Sequence, residues 1–244
     1  MEWTRKGQRA FDVFIRSHGN TCYKRICQMD SVTSYGTSFQ YKNASRYEQS
    51  TRMLCRTFTT TVEPAIEPIT LEQLKDRIRI GSTCDFDAEL LAVLTTARKQ
   101  VEADTYRRLI NQTVAGYLDG FLNVREIELR LAPVQSITSI TYIDQDSASQ
   151  TLATTVYGTD LTSTPARIIL KTSQNWLDTE PNTPNTVTVT FVAGYGTTAA
   201  SVPAQAKLAI VEYAKILWGG CDGSEANYQR LISGLQWTAY HKVY

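Results

Sequence analysis

Two pairs of carboxylates and one loose set of sulfur and imidazole groups are the residues whose types and spacing could do chemistry. Asp85 and Asp87 flank Phe86, and Asp144 and Asp146 flank Gln145. Carboxylates two apart can share a hard cation, but calcium takes about 6–8 oxygen ligands and none of the remainder is spaced around either pair. Capping of a helix by the first pair and a solvated hairpin for the second account for them better. His18, Cys22, Cys27 and Cys55 are ligand types for zinc, yet structural zinc sites repeat a short Cys pair and here there is one. With only His18 and His241, a histidine-based triad is not expected. The phosphate loop, nucleophile elbow and dinucleotide fingerprint are all missing. Val192-Ala-Gly-Tyr-Gly196 has the letters of a potassium-channel filter, but no apolar run reaches the length of a membrane span. Two glycines that permit a turn after a strand suffice for it. The expectation is a protein without catalytic residues, cofactor or metal.

The elements that would hold any site in place begin at Ile69. Thr70 and Gln73 form a capping-box pattern, and Leu71, Leu74 and Ile78 follow at helical spacing. Gly81 and Ser82 stop that helix, and Asp85 is read as the cap of the next. From Phe86 to about Arg107 the apolar residues Phe86, Leu90, Leu94, Ala97 and Val101 recur every three or four positions without Pro or Gly. The result is an αα-hairpin whose second helix runs roughly 30 Å. The period then changes to alternation, with strands expected at 110–118, 125–130, 137–143, 151–156, 167–170 and 186–192. The polar runs from Asp144 and from Glu180 read as hairpin loops. Pro203 heads a helix over Ala204 to Trp218, and a shorter one runs from Glu225 to about Leu235.

Composition sets the frame around these elements. The chain has 244 residues, is 42% hydrophobic and carries a net charge of +1, as expected of a globular protein of one large or two small domains. Five cysteines without regular spacing suit free thiols in a reducing cytoplasm. Residues 1–62 hold ten Lys/Arg against four Asp/Glu, and residues 63–244 hold fifteen against twenty. The first part reads as a basic arm or small appended module, with Ala10–Arg16 helical, a turn at Tyr35, and strands at Ser38–Tyr41 and Arg56–Val62, joined to the rest by the extended linker Glu63–Pro68. Its Arg5, Lys6, Arg9, Arg16, Lys24 and Arg25 are candidate nucleic-acid contacts; a solvated face, or a complement to an acidic partner, is the plainer reading.

Two further segments point to assembly. The helix at Ala204–Trp218 has apolar residues on more than one stripe, so Leu208, Ile210, Val211, Ala214, Leu217 and Trp218 are the candidate contacts with a neighbouring subunit. Beyond Leu235 come Trp237, Tyr240, His241 and Tyr244, an aromatic tail that reads either as core or as an anchor for another protein. The fold class expected is α+β: a basic arm (1–66), a helical hairpin (67–110), an inserted antiparallel β-subdomain (111–200), C-terminal helices completing a helical bundle (201–235) and the tail (236–244).

Several of these segments, taken in order, carry a family resemblance. Ile69-Thr70-Leu71-Glu72, Lys75, Ile78-Arg79-Ile80, Asp85-Phe86-Asp87 and Tyr106 are followed by Pro133-Val134-Gln135-Ser136-Ile137, Val192-Ala193-Gly194-Tyr195-Gly196 and Val202-Pro203. In that order the chain resembles the head–tail connector (adaptor) proteins of long-tailed bacteriophages over roughly residues 67–235, with the arm unmatched. The resemblance implies a structural virion protein, made in the host cytoplasm and located at the particle neck. It implies a cyclic homo-oligomer, a dodecamer, seated beneath the portal protein, extending the DNA channel and offering a platform to stopper or tail proteins. DNA would pass without sequence-specific binding, and no membrane is involved. It also implies portal docking by the C-terminal segment: Leu235, Trp237, Tyr240, His241 and Tyr244. The rival reading is a DNA-binding or packaging accessory protein acting through the basic arm.

Overall fold

The computed structural model describes residues 53–55, 57–80, 86–121, 125–219 and 223–236. Helix α1 (Leu71–Arg77) opens with the expected capping box: the Gln73 amide donates to the Thr70 hydroxyl, and the Thr70 amide donates to the Gln73 side chain, each at 3.2 Å. Helix α2 (Asp87–Thr105) begins one residue after Phe86, which occupies the cap position without a side-chain capping bond. Asp85, the residue read as that cap, lies outside the described residues. Asp87 instead forms an ion pair with the buried Lys75, tying the first turn of α2 back to α1.

Leu90, Leu94, Ala97 and Val101 are all buried, so the periodicity marks the inner face of α2 correctly. Against it pack α3 (Ala204–Trp218) and, behind α3, α4 (Glu225–Ser233), whose N-cap Ser224 accepts from the Asn227 amide. Leu74, Leu94, Ala206, Ala209, Ile210 and Tyr228 belong to this helical core. Each large aliphatic side chain fully buried there contributes about 1.5–3 kcal/mol. The small residues Ala206, Ala209 and Ala214 sit where α3 approaches its neighbours, so the helices close up without large side chains between them.

A second core lies between two sheets. One has the order β1 (Met53–Leu54), β4 (Glu126–Leu129), β8 (Ala166–Leu170), β7 (Tyr157–Asp160). The other runs β2 (Thr57–Val62), β3 (Gln112–Leu118), β9 (Val187–Ala193), β5 (Val134–Ile143), β6 (Ser149–Thr151). Val187, Val189, Phe191 and Ala193 point inward while Thr188, Thr190 and Val192 are half-buried on the other face, the alternation that TVTVTFV dictates. Met53 and Cys55 enter the same core as Ile127, Ile168 and Phe191. Residues 53–62 are therefore not part of an appended module: they supply an edge strand to each sheet, and β1 pairs with β4 in parallel, the one departure from antiparallel order among the described strands.

The fold is α+β, with strands β3–β9 inserted between α2 and α3. Three expectations for the β region need correction. The strand placed at 151–156 ends at Thr151; Ala153–Val156 form a turn closed by the Val156 amide on the Ala153 carbonyl at 3.0 Å. The true next strand, Tyr157–Asp160, contains Gly158 and Asp160, both poor strand formers, and is held by pairing with β8. The run from Glu180 is not a hairpin loop either, since it connects β8 in one sheet to β9 in the other.

Candidate functional site

The two cores meet at a joint built from the segments that carry the family resemblance. The last turn of α2 is followed by the Arg107 and Arg108 backbone, which bonds the strand ahead of β5: the Arg108 amide donates to Ala132 O at 2.9 Å and the Ala132 amide to Tyr106 O at 3.1 Å. The turn after β9 closes on the same place. Gly194 donates to Pro133 O at 2.9 Å, Gln135 Nε2 donates to Gly194 O at 2.7 Å, and the Asn111 amide donates to Gly196 O at 3.0 Å. Gly194 has φ of +148°, and a Cβ there would stand 2.5 Å from the Asn111 nitrogen, so only glycine permits this approach. The filter-like letters of 192–196 are thus a backbone seam between helices and sheet.

Beneath the seam lies a buried ionic network. Glu102, 3% exposed, accepts from Arg98 Nη1 at 3.0 Å, the Leu109 amide at 3.0 Å and Gln112 Nε2 at 2.8 Å. Arg98, itself 2% exposed, turns its other nitrogens to the linker: Nε to Glu67 at 2.9 Å and Nη2 to Glu63 at 3.4 Å. Burial pushes the Glu102 carboxyl up, against the pull of Arg98 and of its amide donors. Glu63 is held below its ordinary value, first by the hydrogen bond from Lys99. The network clamps linker, α2 and β3 to one another, with three carboxylates answering Arg98.

The C-terminal end of the described chain is pinned beside the same turn. Arg107 Nε donates to Leu235 O at 2.7 Å, Arg107 Nη1 to the Tyr195 hydroxyl at 2.7 Å, and Gln236 Nε2 to Asp104 O at 3.4 Å. Tyr228 donates to Asp104 Oδ2 at 2.5 Å, and burial, then that carboxylate, pushes its phenol up. Leu235 is 7% exposed and belongs to the helical core. It is withdrawn from the docking set, because a side chain packed under α2 and α4 has no surface to offer. Trp237, Tyr240, His241 and Tyr244 lie outside the described residues.

The subunit-contact set on α3 also narrows. Ile210, Val211 and Ala214 are buried within the chain's own helical core, so they are not contacts for a neighbour. Leu208 and Leu217 are exposed at 45% and 41%, and Trp218 is half-buried with its ring 6.0 Å from that of Phe86. At about 100° per residue, positions nine apart fall on opposite sides of a helix. Leu208 is therefore on the outer face, while Leu217 lies on the inner side at the helix end. The pattern read as two buried stripes is one buried stripe plus these outliers, with Leu91 of α2 exposed as well.

Asp87 and Asp144, one from each carboxylate pair, serve as scaffolding. Asp87 is taken by Lys75, and Asp144 closes its hairpin by accepting from the Asp146 and Ala148 amides and from Gln150. Those bonds, the Ala148 amide first, hold its carboxyl below the ordinary value. Cys55 is buried in the inter-sheet core, where loss of water pushes its thiol up to about 12; His18, Cys22 and Cys27 lie outside the described residues. Among the described residues no three His, Cys, Asp or Glu side chains converge on a metal position, and no helix is long and apolar enough to cross a membrane. The arm residues Arg5, Lys6, Arg9, Arg16, Lys24 and Arg25 fall outside them too. Arg98, Glu102 and Gln112 were missed by sequence reading; the signal available was a charged pair at (i, i+4) spacing on the inner face of α2.

Comparison of the sequence with family models and with curated proteins finds no match. Solved structures do share the fold. A chain of "Virion of native gene transfer agent (GTA) particle" matches with a TM-score of 0.62 at 18% identity, covering 74% of this chain and 95% of that one. A chain of "Neck of empty GTA particle computed with C6 symmetry" matches with 0.62 at 19%, over the same shares. A third, from "Neck of native GTA particle computed with C12 symmetry", gives 0.56 at 20%, covering 73% and 94%. The architecture described above is thus one found nearly whole in chains of those particles.

Proposed function

We propose that this protein is a structural subunit of a phage-like particle neck, a head–tail connector that assembles as a cyclic homo-oligomer between portal and stopper or tail and extends the DNA channel. The observation that carries the reading is the fold likeness to chains of particle-neck structures over about three quarters of this chain and nearly all of theirs. Necks computed with C6 and with C12 symmetry among these matches support a cyclic homo-oligomer here. The acidic balance of residues 63–244 supports it as well, since a channel that lets DNA slide should not hold its phosphates.

Class averages of the purified full-length protein, or of the particle neck, test this reading directly: rings support it, and a protein that stays monomeric with portal present overturns it. Leu208→Asp gives the complementary result. The substituted side chain is exposed, so the subunit's own stability should change by no more than about 0.5 kcal/mol, while the oligomer mass measured by light scattering should fall toward that of a subunit.

One observation favours a second reading, the concentration of ten Lys/Arg against four Asp/Glu in residues 1–62. A protein gripping DNA through that arm would lose affinity steeply with salt, by a slope near the number of phosphates neutralised. The connector reading expects a nearly flat dependence for the isolated chain, measured by fluorescence anisotropy across a salt series.

A further inference from the structure

The two sheets meet water differently. On the outer face of the four-stranded sheet, Glu126 and Asp160 pair with Arg167 at 3.7 and 2.7 Å. None of the five strands of the other sheet holds a Lys, Arg, Asp or Glu, in a chain of which 20% is charged. Its outer face carries hydroxyls and small side chains in register: Thr57 and Thr59 beside Tyr117 and Ala115, then Thr188 and Thr190.

The missing charge matters most at β2, an edge of that sheet. An edge strand offers unpaired N–H and C=O groups, and proteins blunt such edges with charge, proline or brevity. In the four-stranded sheet, the edge β1 is two residues long and the edge β7 ends on Asp160. By contrast, β2 runs six residues as Thr-Phe-Thr-Thr-Thr-Val, with Glu63 and Pro64 only after its end. From Thr57 to Thr60 it pairs regularly with β3, so every second residue there turns both backbone groups outward. No strand among the described residues receives them. The edge is also firmly held. Phe58 sets its ring edge-on to Phe191 at 6.1 Å and takes the space that a Cβ on Gly116 would need, 3.0 Å away. Val62, the last residue of β2, is 58% exposed, an apolar side chain that a strand laid along β2 would cover.

The occupant follows from the far side of the same sheet. There β5 runs ten residues, but β6 pairs with only Thr141–Ile143, and the Leu152 amide reaches Ile140 O. The outer edge of Val134–Ser139 therefore has no strand beside it among the described residues, and Gln135, Ser136 and Thr138 are exposed. One sheet thus ends in two unlike open edges, both without charge. A foreign partner would need one of them, whereas a second copy of the chain uses both. Register shifts within β5 and near the end of β2 mark bulges, which bend a strand. A sheet carried round a closed ring has to bend.

We propose that β2 of one copy lies along the open stretch of β5 in the next, so that the five-stranded sheet continues from subunit to subunit. Main-chain hydrogen bonds supply the affinity of such a strand addition and the alternating side chains its fit. A head-to-tail contact of this kind makes a ring where the rotation closes. The inference rests on the cyclic homo-oligomer proposed above and names the surface that builds it.

The test is backbone hydrogen exchange of the full-length protein, in rings and in subunits diluted below assembly, read by mass spectrometry on peptides spanning 57–62 and 134–139. Both segments should exchange slower in the ring by roughly tenfold or more. Thr59→Lys places a charge on an exposed side chain at the edge; the oligomer mass should fall toward that of a subunit while the unfolding temperature of the diluted subunit stays nearly unchanged. Thr59→Val keeps a β-branched, uncharged side chain and should assemble as wild type does. Rings in which the two segments exchange as fast as in the diluted subunit, or full oligomer mass in Thr59→Lys, overturn the edge pairing and leave the ring reading standing. Protection of 57–62 without 134–139 also overturns it, since β2 then meets a different surface. Slow exchange in both states overturns it too, because the edge is then covered from within the chain. A wild-type protein that never assembles, with portal present, overturns the ring reading and this inference with it.

Discussion

Arg98→Met is expected to lower the stability of the subunit by about 3–5 kcal/mol, the cost of breaking a buried pair and leaving the other charge behind. For a chain of this size that is a fall in unfolding temperature of roughly 6–20 °C, read by calorimetry. The loss has a specific source. Glu102 stays buried under the joint with the Leu109 amide and Gln112 still donating to it, but without its nearest cation. Burial already pushes this carboxyl up and Arg98 is the largest influence pulling it down, so the variant's Glu102 must titrate higher still. A folded pKa raised above the unfolded one contributes stability that is complete below the unfolded pKa and disappears as pH rises through the folded one. The deficit of Arg98→Met relative to wild type should therefore shrink as pH is lowered from neutrality toward 5, by protonation of Glu102. Glu102→Gln added to Arg98→Met should recover part of the loss at neutral pH, and that non-additivity is the signature of a direct pair. Equal deficits at both pH values would place the effect in Glu63 and Glu67 instead. Those two tie the linker to α2 from its exposed side.

How much of this could be read from residues depends on the range of the interaction involved. The helices were legible because their determinants are local. The Thr70–Gln73 box, the inner stripe of α2 and Pro203 at the head of α3 are each set within a few residues. The alternation of β9 was legible for the same reason. What periodicity could not separate was an apolar residue facing the chain's own core from one facing a neighbour. Ile210 and Leu208 look alike in sequence, and only the position of α2 and α4 decides that the first is buried and the second is not. The strand expected at Arg56–Val62 is present as β2, but Met53–Leu54 and the partners of both edge strands were hidden, because those partners lie more than fifty residues away in β3 and β4. The ionic network was hidden in the same way. Glu67, Arg98 and Gln112 are ordinary surface types until the fold brings linker, helix and strand to one point. Tyr106 was named in the sequence for its position in the family pattern, but its left-handed backbone and exposed ring belong to the structure alone.

Removing residues 237–244 should leave the unfolding temperature of the subunit nearly unchanged and abolish attachment to portal-bearing capsids. The cut belongs after Gln236 rather than before it, because Leu235 is core and Gln236 bonds the last turn of α2. A truncation starting at Gln236 would lose that bond and blur the result. The reason to expect a conditional tail is energetic. Fixing eight backbones costs about 8–16 kcal/mol. Three aromatic side chains of about 150–250 Å² each return about 11–19 kcal/mol when fully buried, at about 25 cal/mol per Å². The terms nearly cancel, so the docking reading requires Trp237, Tyr240 and Tyr244 to be buried together against a partner surface. Single replacement of Trp237 by Ala should then weaken attachment almost as much as the whole deletion, measured by capsid co-sedimentation. A graded loss, one aromatic at a time, would mean that the tail is already ordered on its own subunit. If the truncated protein instead loses its fold, these residues are core and the docking role is wrong. If it attaches normally, the portal contact lies elsewhere, and the basic segment ahead of Met53 is the next place to cut.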